Sequence, residues 1–373
     1  MSKNEMKTVF TPTFIGNLEL KNRFIRSATW DGMAGEQGEI SPWQMQLFKT
    51  LAGGGTALLT SGYTFVSPEG RQHHGQAGLD QNRLMEPLAE LAEVVHQSGS
   101  RLFIQLVHCG GQANSKVTGL PAKAPSAIEH PLFAQKPREL TREEIEKLIT
   151  NFALAAGRAK EAGCDGVQLH AAHGYLISQF LSPSTNRRRD DFGGSLTNRF
   201  RFLRECYLRT RKQVGDHFPL TVKINGQDYL EDGLLLEETV EICRRLADLE
   251  LDAIEVSGGS RASSPKQPVI RKINQPEKEA YFLDDAVAIQ RAVSIPVITV
   301  GGIRSPQIIG RIINQGIPLI ALCRPLIREP ELINRWQNGD LNPASCTSCN
   351  GCFKPAWKGE GIRCVQSDAE NSG

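Results

Sequence analysis

Two histidines and a tyrosine are closely spaced in the segment His-Ala-Ala-His-Gly-Tyr. His170 and His173 are separated by two alanines, and Tyr175 follows two residues later. Neutral imidazoles at this spacing could donate two hydrogen bonds to one substrate oxygen, and the phenol could give the substrate a proton. Imidazole is also a common metal ligand, and all three side chains could instead be structural. The segment predicts a substrate-binding and proton-donating site, a metal site or a packed turn.

Lys223 lies in the apolar stretch Val-Lys-Ile-Asn. A buried ammonium group costs free energy unless it meets a negative charge, which an anionic cofactor ring or a carboxylate of the chain would supply. Further along the chain, Gly301, Gly302 and Arg324 follow two predicted strands. Backbone N–H groups and a cation at strand ends bind phosphate in many barrels, so this group indicates a phosphate site.

Four of the nine cysteines are crowded near the end of the sequence. Cys346, Cys349, Cys352 and Cys364 are separated by two, two and eleven residues. Thiolates at such spacing suit a [4Fe–4S] cluster or a tetrahedral zinc ion, and free thiols are the alternative. The other five cysteines are scattered along the chain and are typical of small buried side chains in a reducing compartment.

The elements that must position these residues alternate between strands and helices. Eight short, mostly apolar stretches are predicted as strands, at 24–28, 56–61, 101–107, 166–170, 220–225, 253–257, 296–300 and 319–323. Helices are predicted between them, the clearest beginning at a capping box formed by Thr141 and Glu144 and ending at Gly163. This alternation predicts an α/β fold, a (β/α)8 TIM barrel. An open doubly wound sheet is the competitor, but the first strand lacks the glycine-rich turn that such sheets usually carry.

Length and charge limit the class of protein. The 373 residues are predicted to form one barrel, residues 1–340, followed by a short cysteine-containing tail, residues 341–373. Lys and Arg number 43 against 41 Asp and Glu, so a net charge of +2 gives no electrostatic reason to bind nucleic acid or an anionic membrane. The sequence shows no apolar leader and no apolar run of about 18 residues. We expect a cytoplasmic protein acting on a small molecule, and leave open whether it forms a homo-oligomer.

The motifs match those of a known family over about residues 8–337. The most specific segment, 170–186, reads His-Ala-Ala-His-Gly-Tyr-Leu-Ile-Ser-Gln-Phe-Leu-Ser-Pro-Ser-Thr-Asn. Supporting residues are Arg188, Asp190, Phe192-Gly193-Gly194-Ser195, Asn198-Arg199, Lys21-Asn22-Arg23-Phe24, Gln105-Leu106, His108 and Asp228-Tyr229. In these segments the sequence resembles the Old Yellow Enzyme family of FMN-dependent NAD(P)H:flavin oxidoreductases, above all the branch that includes the N-terminal barrel of 2,4-dienoyl-CoA reductases.

The resemblance implies a noncovalent FMN on the barrel's carboxyl face. Gln105 would bind the pyrimidine edge of the flavin, and Lys223 would stand beside N1 and O2. The residues implied to line the ring are Ser27, Ala28, Thr29 and Gly62. Those implied to hold the phosphate are Gly301, Gly302, Cys323 and Arg324. The branch also carries an iron–sulfur cluster near the positions of the tail cysteines, although with three residues rather than two between the second and third cysteine.

The implied activity is that of an ene-reductase. NAD(P)H would reduce FMN, and the flavin would pass hydride to an activated alkene such as an enone or enal. His170 and His173 would bind the activating oxygen, and Tyr175 would donate the proton. Trp30 would contact the substrate, and either Thr29 or Trp30 would neighbour flavin N5. The alternatives are a general flavin reductase acting on quinones or nitro compounds, and a non-catalytic electron-transfer protein that holds FMN and a metal in its tail.

Overall fold

The computed structural model describes residues 7–270 and 272–367. Eight parallel strands form a closed barrel, because each strand pairs with the next and the last pairs with the first. They are β1 Phe24–Arg26, β2 Leu58–Thr60, β3 Arg101–Val107, β4 Gly166–Ala171, β5 Leu220–Asn225, β6 Ala253–Ser257, β7 Val297–Thr299 and β8 Leu319–Leu322. The predicted (β/α)8 barrel is confirmed, and the predicted bounds of β3, β5 and β6 match those in the structure.

Helices surround the barrel between successive strands. They are α1 Pro42–Gly53, α2 Met85–His96, α3 Arg142–Glu161, α4 Leu196–Val214, α5 Leu236–Asp248, α6 Leu283–Gln290, α7 Pro306–Asn314 and α8 Leu332–Gln337. The predicted capping box begins α3: the Glu144 N–H donates to Thr141 Oγ1 and the Thr141 N–H donates to the Glu144 carboxylate. Apolar residues of these helices form the larger core with the outward faces of the strands.

A second, smaller core fills the amino-terminal end of the barrel. The hairpin of strands Thr13–Ile15 and Leu18–Leu20 closes this end, and its Ile15 and Leu20 join a buried cluster inside the barrel. Gly16 forms the turn with φ of 55°, and a Cβ there would lie 2.2 Å from Asp252 Oδ1. The sequence analysis did not predict this hairpin. This end of the barrel is therefore packed, whereas the carboxyl ends of the strands open onto a cavity.

The loops at the carboxyl face contain short elements of their own. Two short strands pair in the long loop after β3, and helices follow β4 and β8. These and the remaining short pieces are strands Thr64–Phe65, Lys123–Ala124 and Arg138–Glu139, helices Ser115–Thr118, Leu176–Leu181, Arg324–Arg328 and Phe353–Trp357, and 3₁₀ turns Pro68–Gly70, Asn82–Leu84, Gly110–Gln112 and Pro276–Lys278. The loops on this face are therefore partly ordered.

The cysteine-containing tail packs against the carboxyl face of the barrel. The Ile362 N–H donates to the Asp31 carbonyl oxygen at 2.8 Å, and Ile362, Cys352 and Ala356 form an apolar cluster with Trp30. The division into barrel 1–340 and tail 341–373 stays a prediction, and residues 1–6 and 368–373 of these two segments lie outside the described residues. Within ranges 7–270 and 272–367, no helix combines the length and apolar character that crossing a membrane requires.

Candidate functional site

One cavity of about 1090 Å³ opens at the carboxyl ends of the barrel strands. It is lined by nearly all the predicted site residues: Ser27, Ala28, Thr29, Trp30, Gln105, His170, His173, Tyr175, Lys223, Gly301, Gly302, Cys323 and Arg324. Gly62 is not among the lining residues. A Cβ on Gly62 would be 2.9 Å from the Thr29 carbonyl oxygen, so this position packs closely on the Thr29 backbone. Residue types scattered over about 300 positions therefore converge on one space.

His170, His173 and Tyr175 meet at one end of this cavity. The ring centroid of His170 lies 5.1 Å from that of His173 and 4.9 Å from that of Tyr175. His170 belongs to β4, whereas His173 stands in the turn that follows, with φ of 62°. The Asn225 side chain holds this turn by accepting the His173 N–H at 3.1 Å. The close spacing in sequence thus becomes a group of three rings.

Both imidazoles are neutral at pH 7. Burial lowers the pKa of His170 well below 6.5, and the nearby His173 and Lys223 lower it further. Burial and Lys223 have the same effect on the pKa of His173. The Ala172 N–H donates to His170 Nδ1 at 3.3 Å, so the neutral His170 ring carries its hydrogen on Nε2. His173 Nε2 lies 2.7 Å from Ser257 Oγ.

The Tyr175 hydroxyl belongs to a pair of phenols that share one acceptor. Tyr175 and Tyr63 both donate to Gln72 Oε1, at 3.0 and 3.1 Å, and their ring centroids are 5.3 Å apart. Burial raises the pKa of Tyr175 above its ordinary value, so the phenol keeps its proton at neutral pH. Sequence reasoning missed Tyr63 and Gln72. Tyr63 gave a weak signal, because it follows closely on a strand end, and Gln72 gave none.

Lys223 is paired with a carboxylate that the sequence analysis did not identify. Glu255 of β6 is fully buried, and its Oε1 lies 2.9 Å from Lys223 Nζ and 2.6 Å from Ser27 Oγ. Burial alone would raise the pKa of Glu255, but Lys223, Ser27 and Gln168 outweigh burial and hold it below its ordinary value. Of the two partners considered for Lys223, the structure provides the carboxylate. Lys223 Nζ also donates to Ser27 Oγ at 2.9 Å, which leaves the third N–H of Lys223 for a cavity ligand.

Glu255 also sets the direction of the hydrogen bonds that reach Gln105. A carboxylate only accepts, so Gln168 must turn its amide nitrogen toward Glu255 Oε2, at 3.0 Å. Gln168 Oε1 then accepts from Gln105 Nε2 at 2.7 Å. This order leaves Gln105 Oε1 as an acceptor on the cavity wall. The buried Glu255 carboxylate thereby fixes both the Lys223 cation and the Gln105 acceptor.

The opposite end of the cavity suits a phosphate group. Gly301 and Gly302 have φ of 128° and 69°, and a Cβ on either would lie within 3.0 Å of the Tyr281 ring, so only glycine fits. Arg324 donates to the Ile270 carbonyl oxygen and to Asn350 Oδ1, both at 2.7 Å. It makes no ion pair with any residue that the structure describes. An uncompensated guanidinium beside glycine N–H groups is a fitting partner for phosphate.

The full set of donors fits FMN. The phosphate end, the Lys223 cation with the Gln105 acceptor, and the ring-bearing end lie along one cavity. Thr29 and Trp30 both line it. The Thr29 hydroxyl is already occupied by the Ser27 carbonyl oxygen at 3.0 Å, whereas Trp30 packs on His73 with ring centroids 4.6 Å apart.

The tail cysteines are not gathered into a metal centre. In ranges 7–270 and 272–367, no three or more His, Cys, Asp or Glu side chains are arranged to hold a metal ion. Cys349 is exposed and lines the cavity, and Cys352 is buried. Burial raises the pKa of the Cys352 thiol to about 12. In this arrangement Cys346, Cys349, Cys352 and Cys364 do not fit a cluster or zinc.

Comparison with known proteins agrees with this geometry. The chain is 37% identical over 350 residues to an NADH oxidase of Thermoanaerobacter brockii, which covers 92% of this chain and 53% of that protein. It is 31% identical over 390 residues to a 4,4'-dithiodibutanoate disulfide reductase of Rhodococcus erythropolis, which covers 97% of this chain and 96% of that protein. The chain thus spans about half the length of the first relative and nearly all of the second.

A solved structure supports the fold. The Old Yellow Enzyme homologue of Zymomonas mobilis superposes with a TM-score of 0.78 at 23% identity, over 96% of this chain and 98% of that one. The family model described as "NADH:flavin oxidoreductase / NADH oxidase family" matches residues 8–342. The resemblance stated from the motifs is confirmed. This chain therefore belongs to the NADH:flavin oxidoreductase / NADH oxidase family.

Proposed function

We propose that this chain is an FMN-dependent ene-reductase that takes hydride from NAD(P)H and delivers it to an activated alkene. The observation that carries the proposal is the grouping of two neutral imidazoles and a protonated phenol at one end of the cavity. The other end offers glycines and a free guanidinium to a phosphate. Hydrogen-bond donors for an oxygen and a proton donor thus face the place where a flavin ring would lie.

FMN, when bound, would supply hydride transfer between two substrates that enter the site in turn. Arg324, Gly301 and Gly302 would hold its phosphate, and Gln105 Oε1 would accept a hydrogen bond from its pyrimidine edge. Lys223 would stabilise negative charge at that edge because its ammonium group is fixed and shielded from water. Glu255 keeps the ammonium group in place without consuming all of its hydrogen bonds.

The three rings would act on the acceptor. His170 would donate a hydrogen bond from Nε2 to the acceptor's carbonyl oxygen, and His173 would donate a second hydrogen bond to the same oxygen. These hydrogen bonds draw electron density from the double bond, so its β-carbon can take a hydride. Tyr175 would then give its proton to the α-carbon, which completes the addition of two hydrogens across the bond. A proton from solvent would restore the phenol.

A disulfide is a second candidate acceptor. The Rhodococcus erythropolis relative, which matches this chain along nearly its whole length, is named a disulfide reductase. Quinones and nitro compounds could also accept hydride without help from Tyr175. A protein that only transfers electrons would not convert these acceptors catalytically into reduced products. Catalytic formation of reduced product therefore distinguishes an enzyme from an electron-transfer protein.

We expect the purified protein to be yellow, with one FMN released per chain on denaturation. Anaerobic NADH or NADPH should bleach the flavin band, because the family to which the chain belongs is described as NADH:flavin oxidoreductases. The measurement is the absorbance spectrum before and after addition of the reductant. Arg324→Gln should weaken FMN binding about tenfold or more, whereas Arg204→Gln, an exposed position outside the cavity, should not. Colourless protein that takes up no FMN would reject the proposal.

We propose that the cysteine-containing tail binds a metal or cluster, on the basis of its cysteine spacing alone. Since the sulfur atoms are not gathered in this structure, binding would require the tail to rearrange. Anaerobic purification followed by iron, sulfide and zinc analysis tests this. Stoichiometric metal that is lost in a Cys346→Ser variant supports a site. Metal-free protein with full flavin activity contradicts it.

A further inference from the structure

The charged residues that line the cavity are all basic. They are Lys223, Arg261, Arg304, Arg324 and Lys354, and no Asp or Glu among the described residues lines the same space. Only Lys223 forms an ion pair within the described part of the chain. A concave site with one sign of charge concentrates ligands of the opposite sign. The cavity therefore has an excess of positive charge that negatively charged ligands would balance.

These cations lie at separate places. Arg304 and Arg324 follow β7 and β8, next to the glycines of the phosphate end. Arg261 lies on the loop after β6, near the three-ring end. Burial raises the pKa of Tyr175 and of Tyr63, and the Arg261 charge opposes the rise at both hydroxyls. FMN has a single phosphate, for which Arg324, Gly301 and Gly302 are already proposed, so Arg261 is not needed to bind it.

Contacts link the Arg261 guanidinium to the turn that precedes Tyr175, and both residues line the cavity. Its Nη2 donates to the Leu132 carbonyl oxygen at 3.2 Å. Leu132 in turn packs on Gly174, where a Cβ would lie 2.4 Å from Leu132 Cδ2, and Gly174 immediately precedes Tyr175. One N–H is used in this anchor. The remaining N–H groups form the planar donor set that binds carboxylate or phosphate oxygens in pairs.

We propose that the physiological acceptor carries a carboxylate or phosphate group that binds Arg261 while its double bond lies beside Tyr175. This inference rests on the proposed function and narrows its substrate class to anionic acceptors. The same chemistry could come from the phosphates of NAD(P)H, and the two sources predict different results. An acceptor anion affects flavin reoxidation, and a dinucleotide phosphate affects flavin reduction.

The test compares one enone with and without a charge. The pair is trans-4-oxo-2-pentenoate and its methyl ester, measured as reoxidation of the NADPH-reduced flavin. Arg261→Gln should raise the KM for the acid about tenfold and leave the ester within about twofold. Arg261→Lys should recover part of the loss. The control is Lys266→Gln, which removes one charge from the same loop outside the cavity, where Lys266 lies over the Tyr229 ring at 5.6 Å.

A second readout needs no turnover. Levulinate, the saturated analogue of the acid, should perturb the flavin spectrum, with a Kd about tenfold higher in Arg261→Gln. Equal losses for acid and ester would overturn the inference while the ene-reductase proposal stands. A defect confined to flavin reduction by NADPH would assign Arg261 to the dinucleotide and also overturn it. Wild-type flavin that neither compound reoxidises would overturn the proposed function and the inference together.

Discussion

Replacing Tyr175 with Phe is expected to slow reoxidation of the reduced flavin by an enone about 10²–10⁴-fold. The reason is the loss of the proton donor. The phenol is buried with its pKa raised, and its ring centroid lies 4.9 Å from that of His170. Flavin reduction by NAD(P)H needs no proton from Tyr175, so its rate should stay within a few-fold of wild type. Stopped-flow absorbance measures both half-reactions.

Tyr63→Phe is the matched control for this variant. Tyr63 lines the same cavity and donates to the same Gln72 oxygen, but among the described residues its ring contact is with Tyr175, whereas the Tyr175 ring also contacts His170. It should slow enone reduction much less than Tyr175→Phe does. If both variants reoxidise at the wild-type rate with the enone, Tyr175 has no part in the reaction.

Replacing Lys223 with Met is expected to destabilise the flavin-free protein by about 3–5 kcal/mol. The substitution nearly preserves volume, but it leaves the Glu255 carboxylate fully buried without its cation. The double variant Lys223→Met/Glu255→Gln removes both charges and should recover much of this loss. The reason is that Ser27 and Gln168 can still form hydrogen bonds with the glutamine side chain at position 255. Thermal unfolding of flavin-free protein measures the difference. A double variant less stable than the single variant would contradict the pairing.

The same ion pair should control the flavin's midpoint potential. Glu255→Gln removes a negative charge from behind Lys223, so reduction, which adds negative charge to the ring, becomes easier. We expect a rise of about 30–60 mV for the two-electron couple. Lys223→Met should shift the potential in the opposite direction. A purely structural role for the pair would change stability and leave the potential of the folded protein unmoved.

The barrel fold could be predicted from the sequence because each strand and helix shows its pattern within one short segment. The buried strands are short runs of mostly apolar residues, and the helix beginning at Thr141 has both halves of its capping box within four positions. The hairpin at 13–20 was missed because each of its strands buries only one of its three residues, whereas the equally short β1, β2 and β7 are buried throughout. It is fixed instead by packing of Ile15 and Leu20 into the barrel.

Cavity-lining residues at the ends of strands could be predicted from the sequence. Cavity-lining residues on loops could not. Lys223 attracted attention as a charge in an apolar strand, and Glu255 in Ala-Ile-Glu-Val-Ser carries the same signal. Their pairing depends on the β5–β6 register, which puts the two Cα positions opposite each other. Gln72 and Arg261 lie on irregular segments, where no periodic pattern in the sequence indicates which way a side chain points. Gly62 follows a strand, yet its position places it against the Thr29 backbone rather than in the cavity.

The central claim, that this cavity reduces an activated alkene, is tested most directly by one turnover without oxygen. The protein is reduced with one equivalent of NADPH, mixed with 2-cyclohexenone, and followed by flavin absorbance and by product analysis. The account predicts that the flavin band returns and that one equivalent of cyclohexanone forms per FMN. A flavin that stays bleached with the enone but returns at once with a quinone would contradict it.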